Sequence, residues 1–575
     1  MTLIADKPVT NPAPSTTERE WGRWLGRAGL ATLIGLVLLV VAYPIIRLLL
    51  ETFFPGWTFD VSSFGELFAS RGIGSVLIDT VIYVAGTLVL TTLFGGFLAW
   101  AMERTDARIG RLAGIMPIIP LLVPPIGSVL GYLTLFSPSS GLVNIALRAT
   151  LLPDLDDGPI SVTNFPGLIF ITAVNLAPIS YLILSSALRN ADASLEEAAR
   201  ISGASNVKTL LQVTIPTIRP AIVSSALMIG ILAVGAFTYP FFIGSSSGIT
   251  TAAVFVFRGF SSWPPQQDIA IALSVLLMIV VQIAVYAQRR FARSERRSVI
   301  AGKRGASAPL ALGRWFWPVR IAIIGYLGAV LIPIISLVIG SLLPYRGASF
   351  SFENMSLRNY TEVLTSSVTQ RALVNSFTFG AIAAFVAMAV ATALVYSAMN
   401  SARTARWTDP VLYAPSAIPH TALAAAFLVS FAGPPFNLYG TAALLVIAYA
   451  TIFLPQAAAA ASSAVSQINT QLVEAAYISG ASQIRVIRAI ILPMLVSGLF
   501  AGWIIVFFMA VNEVTVSALL AGIGVPVVGQ VSVEYFDTGR VAEVGAMSVI
   551  ISLVASVVVL FTYRIVSRTA ATRSM

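Results

Sequence analysis

With 57% of its 575 residues hydrophobic and only 10% charged, the chain lacks the polar residues to cover a water-facing surface; soluble proteins use roughly a quarter charged residues. The absence of cysteine excludes disulfide frameworks and thiolate metal sites, and a single histidine, His420, excludes two-histidine zinc motifs. The net charge of +10 comes from basic residues scattered between apolar runs rather than gathered on one face, which argues against nucleic acid as a partner and for a lipid bilayer.

In chain order, residues 1–27 are polar and carry four Lys/Arg. The apolar run that follows is too long for a signal-peptide core and lacks a small-residue cleavage site, so it is expected to stay as a membrane helix. Runs long enough to cross ~30 Å of hydrocarbon fall near 28–50, 76–102, 112–136, 166–188, 221–243, 268–288, 319–343, 372–400, 409–432, 441–466, 497–521 and 544–564. In lipid such a run must be helical, because only a helix satisfies its own backbone. The expected fold class is therefore an all-α polytopic membrane protein of about twelve transmembrane helices. Lys and Arg collect on the side of both termini, and Asp and Glu predominate on the other, which makes both termini cytoplasmic by the positive-inside rule. The basic stretch RRFARSERRSVIAGKRG (289–305) then lies inside and the acidic stretch LPDLDDGP (152–159) outside. The domain boundaries follow: a cytoplasmic segment 1–27, a first transmembrane half 28–288, a basic cytoplasmic linker 289–318, a second half 319–564 and a cytoplasmic tail 565–575.

The halves repeat one another. EEAARISGAS (196–205) returns as VEAAYISGAS (473–482), and Pro178, Ser185, Glu197, Gly203 and Pro216 match Pro455, Ser462, Glu474, Gly480 and Pro493, all offset by 277. Upstream, LVPP (122–125) matches AIPH (417–420) and Phe136 matches Phe431, offset by 295. The difference of 18 is an insertion in the first half that holds the acidic outside loop. An even number of spans per half makes the repeats parallel, an arrangement that places a substrate path at their interface.

Each repeated decapeptide lies in a long cytoplasmic loop, 189–220 and 467–496. Asp192 and Asn469 suit helix N-caps, and Ser194 with Glu197 fits a capping box. Two turns of helix follow; Gly203 and Gly480 should end them, Ser205 and Ser482 should cap a second helix, and the chain should re-enter the membrane at Pro216 and Pro493. The result is a small knob whose Ala198, Ala199, Ala475 and Ala476 permit close approach of a partner.

The pattern E-A-A-x3-G-x9-I-x-L-P resembles the signature loop of permease subunits in bacterial ABC importers. The second copy fits it with Glu474, Ala475, Ala476, Gly480, Ile490, Leu492 and Pro493; the first has Val213 and Ile215 at the aliphatic places. The resemblance covers nearly the whole chain, including its fused two-half layout. It implies that Glu197, Ala198, Ala199, Gly203 and their second-half counterparts form coupling helices, each docked on one of two ATP-binding cassette subunits. It also implies that an extracytoplasmic binding protein delivers substrate, that ATP is used by the partner subunits, and that this chain binds no cofactor and does no covalent chemistry. GAFTYPFFIG (235–244) and VNEVTVSALLAG (511–522) look most like the ferric-iron group, with thiamine, polyamine and phosphonate permeases close behind. A major-facilitator-like secondary transporter, also of twelve spans in two halves, is the alternative from another class.

Other motifs carry less. GASNVKT (203–209) lacks the glycine before Lys208 that a phosphate-cradling loop needs, and ERTDARIGR (103–111) reads as a basic loop. Arg47 should snorkel; Asp79 and its counterpart Asn375 read as polar groups at helix starts. Glu513 is the notable ionisable residue inside a span, and such residues mark pathways by default. Its counterpart in the repeat, Ala236, cannot pair with it. The expectation is that Glu513 faces a water-filled cavity open to the outside, beside Asn512, with Thr238 and Tyr239 across the pseudo-twofold axis. His420 is a further pathway candidate, expected more readily to pack between helices.

Overall fold

A computed structural model describes residues 16–109, 120, 123–298, 310–348, 350–399 and 402–573. Among them the chain is all-α; the one β-type contact is a bridge between Thr105 and Leu310. Nine of the described helices are long and apolar enough to cross a membrane, and eleven if each of two bent pairs counts as one span. The expected third span, 112–136, appears as the helix Pro125–Phe136; residues 110–119 and 121–122 lie outside the described residues, as do 1–15 of the N-terminal segment, 299–309 of the basic linker and 574–575 of the tail.

The bent spans break where proline dictates. Arg403–Ala417 and His420–Phe431 meet at 102°, and Ala442–Ile452 and Leu454–Val465 at 53°. Pro419 and Pro455 stand at these breaks. A proline disfavours helical geometry in the residue before it and offers no N–H to the turn behind.

The repeat is visible helix by helix. Pro125–Phe136 matches His420–Phe431 at an offset of 295, and Ile215–Val234 matches Leu492–Val511 at 277. The helix Leu142–Thr150 belongs to the first-half insertion. Its buried Asn144 donates to the carbonyls of Ser137 (2.9 Å) and Ile160 (2.6 Å), which folds the acidic loop back on the bundle.

Asp79 and Asn375 have the same task in the two halves. Asp79 accepts from the backbone of Thr250 (3.1 Å) and Asn375 donates to the carbonyl of Pro526 (2.8 Å). One residue on, Thr80 and Ser376 accept from the N–H groups of Ala252 and Val528, both at 2.8 Å. These bonds pin the irregular segment after each broken helix, whose backbone would otherwise be unsatisfied in an apolar setting.

Three expectations change. The helices expected at 221–243 and 497–521 stop at Val234 and Val511, because Gly235 and Asn512 cap them. The chain does not turn at Pro216 and Pro493 but runs through them, each preceded by a wide π-helical turn, Leu210–Thr214 and Ile487–Ile491. The wide turn makes room for a proline ring that would clash with the carbonyl four residues back. Finally, Asp192 caps the helix Ala193–Ile201 by accepting from the backbone of Ser194 (2.9 Å), so Ser194 sits inside the first turn and Glu197 points to solvent; the Ser194–Glu197 capping box is not used.

Candidate functional site

A cavity of about 820 Å³ lies between the halves. It forms where four helix ends fail to meet: the breaks after Val234 and Val511, and the starts of the helices at Pro125 and His420. Thr238, Tyr239, Asn512, Glu513 and His420, read from sequence as pathway candidates, all line it.

Glu513 is 8% exposed. One carboxylate oxygen lies 3.3 Å from Nδ1 of His420, and the other accepts from the backbone of Val516 at 3.1 Å. Glu513 thus lines the cavity and is also paired, because the imidazole of the facing helix start supplies the partner that Ala236 cannot. His420 both faces the cavity and packs: its side chain keeps 36% of its surface exposed at the cavity wall while its ring sits edge-on to Phe453, 6.0 Å away. Asn512 donates to the carbonyl of Phe508 (2.8 Å) within its own helix.

The cavity opens toward the repeated loops, not away from them as expected. Exposed Arg289 and Asp409 stand at its rim, and Arg289 is at the far end of the helix that begins at Gln267. The other end is sealed by rings from both halves. Phe237 stacks on Phe241 (4.9 Å), and Phe242 meets Phe536 of the second half edge-on at 4.7 Å. Aromatic pairs of this kind are worth ~0.5–1.5 kcal/mol beyond the area they bury. The seal was not foreseen, although the aromatic run in GAFTYPFFIG carries most of it.

The two knobs form as expected. Asn469 caps the second by accepting from the backbone of Gln471 (3.0 Å), and Ser205 caps the helix after the first glycine through Lys208 (3.3 Å). The hydroxyl and backbone N–H of Ser194 hold the Asp192 carboxyl below its usual range. Gly203 and Gly480 have φ of +86° and +81°, the left-handed region that favours glycine, and the space beside each is open. Glu197, Ala198, Glu474 and Ala475 are exposed, with Ala199 and Ala476 half-buried behind them. Sequence reading missed the most prominent residues, Ile201 and Ile478, both 87% exposed. Among the described residues no group of three His, Asp or Glu is placed to hold a metal ion.

A helical bundle of two parallel repeats, a cavity at their interface and a matched pair of surface knobs define a multi-pass membrane permease. The chain belongs to the family described as binding-protein-dependent transport system inner membrane component, which matches residues 91–297 and 376–571, one copy in each half. It is 24% identical over 508 residues to the putative ferric transport system permease protein FbpB 1 of Haemophilus influenzae, covering 86% of this chain and 77% of that one. It is 23% identical over 552 residues to the ferric transport system permease protein FbpB of Actinobacillus pleuropneumoniae, covering 92% and 77%. The spermidine/putrescine permease PotB of Salmonella typhimurium is 25% identical over 272 residues, 45% of this chain and 92% of that one. A solved bacterial ABC transporter involved in alginate import aligns at 20% identity with a TM-score of 0.37, over 49% of this chain and 99% of that one. The chain is thus a multi-pass inner-membrane permease of an ABC importer, and the major-facilitator alternative falls away.

Proposed function

We propose that the chain conducts ferric iron across the membrane in an importer driven by two ATP-binding cassette subunits and supplied by an extracytoplasmic binding protein. The observation that carries the ATP-driven part is the pair of knobs: the same exposed face, Glu-Ala and an isoleucine ahead of a left-handed glycine, occurs twice at one end of the bundle. Two equal faces suit two equal partners, one ATPase subunit each. With the basic segments cytoplasmic, that end and both termini lie inside. The cavity is then open to the cytoplasm and closed outside, the resting state of an importer that ATP binding would invert.

Iron is favoured by likeness to two ferric permeases over most of the chain. The cavity offers the carboxylate of Glu513 and the phenol of Tyr239 at its closed end, with Tyr413 and Asp409 toward its rim, the hard oxygen donors that suit iron(III). They are too few for a resident site and sufficient for passing contact. A polyamine is the second reading, favoured by the PotB match to half the chain. Purified chain, co-expressed with its ATPase and placed in liposomes, separates them. ATP-dependent uptake of radiolabelled iron from loaded binding protein is expected; uptake of labelled spermidine instead would support the second reading, and no ATP-dependent uptake of any kind would refute the first proposal.

A further inference from the structure

The two decapeptides differ at two positions only, Glu196 against Val473 and Arg200 against Tyr477. These positions are four residues apart, so they share one face of the helix. Glu196 and Val473 are half-buried, whereas at the second differing position Arg200 is half-buried and Tyr477 exposed; the exposed Glu, Ala and Ile residues are common to both copies. The repeat thus keeps most of the face shown to a partner and changes the attachment to its own half at Glu196 and Val473.

In the first half that inner face is held by charge. A Glu196 oxygen lies 3.3 Å from Nε of Arg104 and accepts from the Thr214 hydroxyl at 2.9 Å. Arg104 also donates to the carbonyl of Leu188 (2.9 Å), and the two charged side chains are only 10% and 13% exposed. The neighbouring Glu103 accepts from Ser185 (2.5 Å) and pairs with Arg189 at 3.5 Å. One network therefore ties the knob helix Ala193–Ile201 to the ends of Ile73–Arg104 and Phe165–Asn190 and to the foot of the helix that enters the cavity wall. In the second half, Val473 and Ile491 stand where Glu196 and Thr214 do. They pack with Ile468, Val486 and Leu495 in an apolar cluster.

The two attachments differ mechanically. Arg104 Nε meets Glu196 as an ion pair without a hydrogen bond, but each partner is held by a bond of its own, Glu196 from the Thr214 hydroxyl and Arg104 to the Leu188 carbonyl. Such charge-assisted hydrogen bonds are directional, whereas apolar contact is non-directional and tolerates sliding. A nearly buried ion pair also depends on both partners, because the survivor of a single removal is left uncompensated.

We infer that Arg104 and Glu196 are positioning residues for the first knob alone, passing a push on Ala193–Ile201 to the transmembrane helices through a rigid polar link, while the second knob passes it through packing. The inference rests on the ATP-driven reading above. The test uses the complete importer in liposomes, with binding protein loaded with radiolabelled iron(III), and reads iron moved per ATP hydrolysed. Glu196→Gln is expected to lower that ratio by about tenfold, with the ATPase still bound. Val473→Gln, the same side chain at the matching place, disturbs packing and not a charge link, and is expected to lower it much less. Arg104→Lys keeps the charge without the planar fork and is expected to fall between Glu196→Gln and wild type. An unchanged ratio in Glu196→Gln, or equal losses in Glu196→Gln and Val473→Gln, overturns the inference. If Glu196→Gln fails to assemble, Arg104→Lys decides alone: a partial loss of coupling supports the link and a wild-type ratio overturns it. A wild-type importer without ATP-dependent uptake refutes the parent reading instead, and the inference with it.

Discussion

At the cavity wall, the first half has Pro125 and Ala236 where the second has His420 and Glu513. Pro125 and His420 start matched helices, and Ala236 and Glu513 stand two residues past the ends of another matched pair, so the backbone delivers equivalent positions and only the side chains diverge. The divergence comes as a pair. A lone carboxylate in an apolar span costs ~2–4 kcal/mol even on lenient scales, and the histidine 3.3 Å away answers that cost. At the surface knobs the reverse holds: exposed Glu197, Ala198 and Ile201 recur as Glu474, Ala475 and Ile478. Parallel repeats can thus share what meets a symmetric partner and differ in what meets an asymmetric substrate.

The largest expected effect tests the shared part. Gly203→Val and Gly480→Val each place a β-branched residue at positive φ, a strain of ~1–3 kcal/mol that the open space around the site does not relieve. Both variants should insert in the membrane and both should abolish ATP-dependent uptake. If one transports normally, the knobs are not equivalent. A smaller effect tests the divergent part. Glu513→Gln should cut uptake about tenfold, equivalent to ~1.4 kcal/mol, without loss of the ATPase. Ala236→Gln, at the matching place in the first half, should change little; equal losses would make the cavity symmetric in function. Alongside uptake, the thermal midpoint of the purified chain should fall more for His420→Ala than for His420→Ala with Glu513→Ala, because the single change strands a carboxylate. The smallest effect concerns the seal, which both halves build. Phe536→Ala removes a contact of ~0.5–1.5 kcal/mol and should bias the bundle toward opening outside. In this cysteine-free chain, Thr238→Cys should then react with an impermeant thiol reagent from the outside faster than in the Phe536 parent; an unchanged rate would place the seal elsewhere.

Much of this was legible in the sequence, for identifiable reasons. The fold class follows from apolar runs that have no option but helix. The N-caps at Asp192 and Asn469 and the left-handed turns at Gly203 and Gly480 follow from local backbone chemistry. Glu513 stood out because ionisable groups are rare inside spans. What could not be read depends on distance in three dimensions. His420 and Glu513 are 93 residues apart, and no spacing rule joins them. The direction in which the cavity opens depends on Phe242 meeting Phe536, a contact between halves. The π-helical turns before Pro216 and Pro493 were missed because proline usually ends a helix, and only a continuing bundle makes the wide turn worth its strain. The Arg104–Glu196 link had a visible trace, the Glu-to-Val difference between the decapeptides, but its meaning required the partner.

The central claim is that two equal knobs on one side of the membrane receive two equal ATPase subunits. Ile201→Cys and Ile478→Cys, introduced singly, test it most directly when joined to the ATPase by a short cysteine-reactive crosslinker and mapped by mass spectrometry. The account expects both to crosslink to the same segment of the ATPase, one subunit per knob, and to be labelled only from the cytoplasmic side. Crosslinks from one knob alone, or labelling of either from outside intact cells, would contradict it.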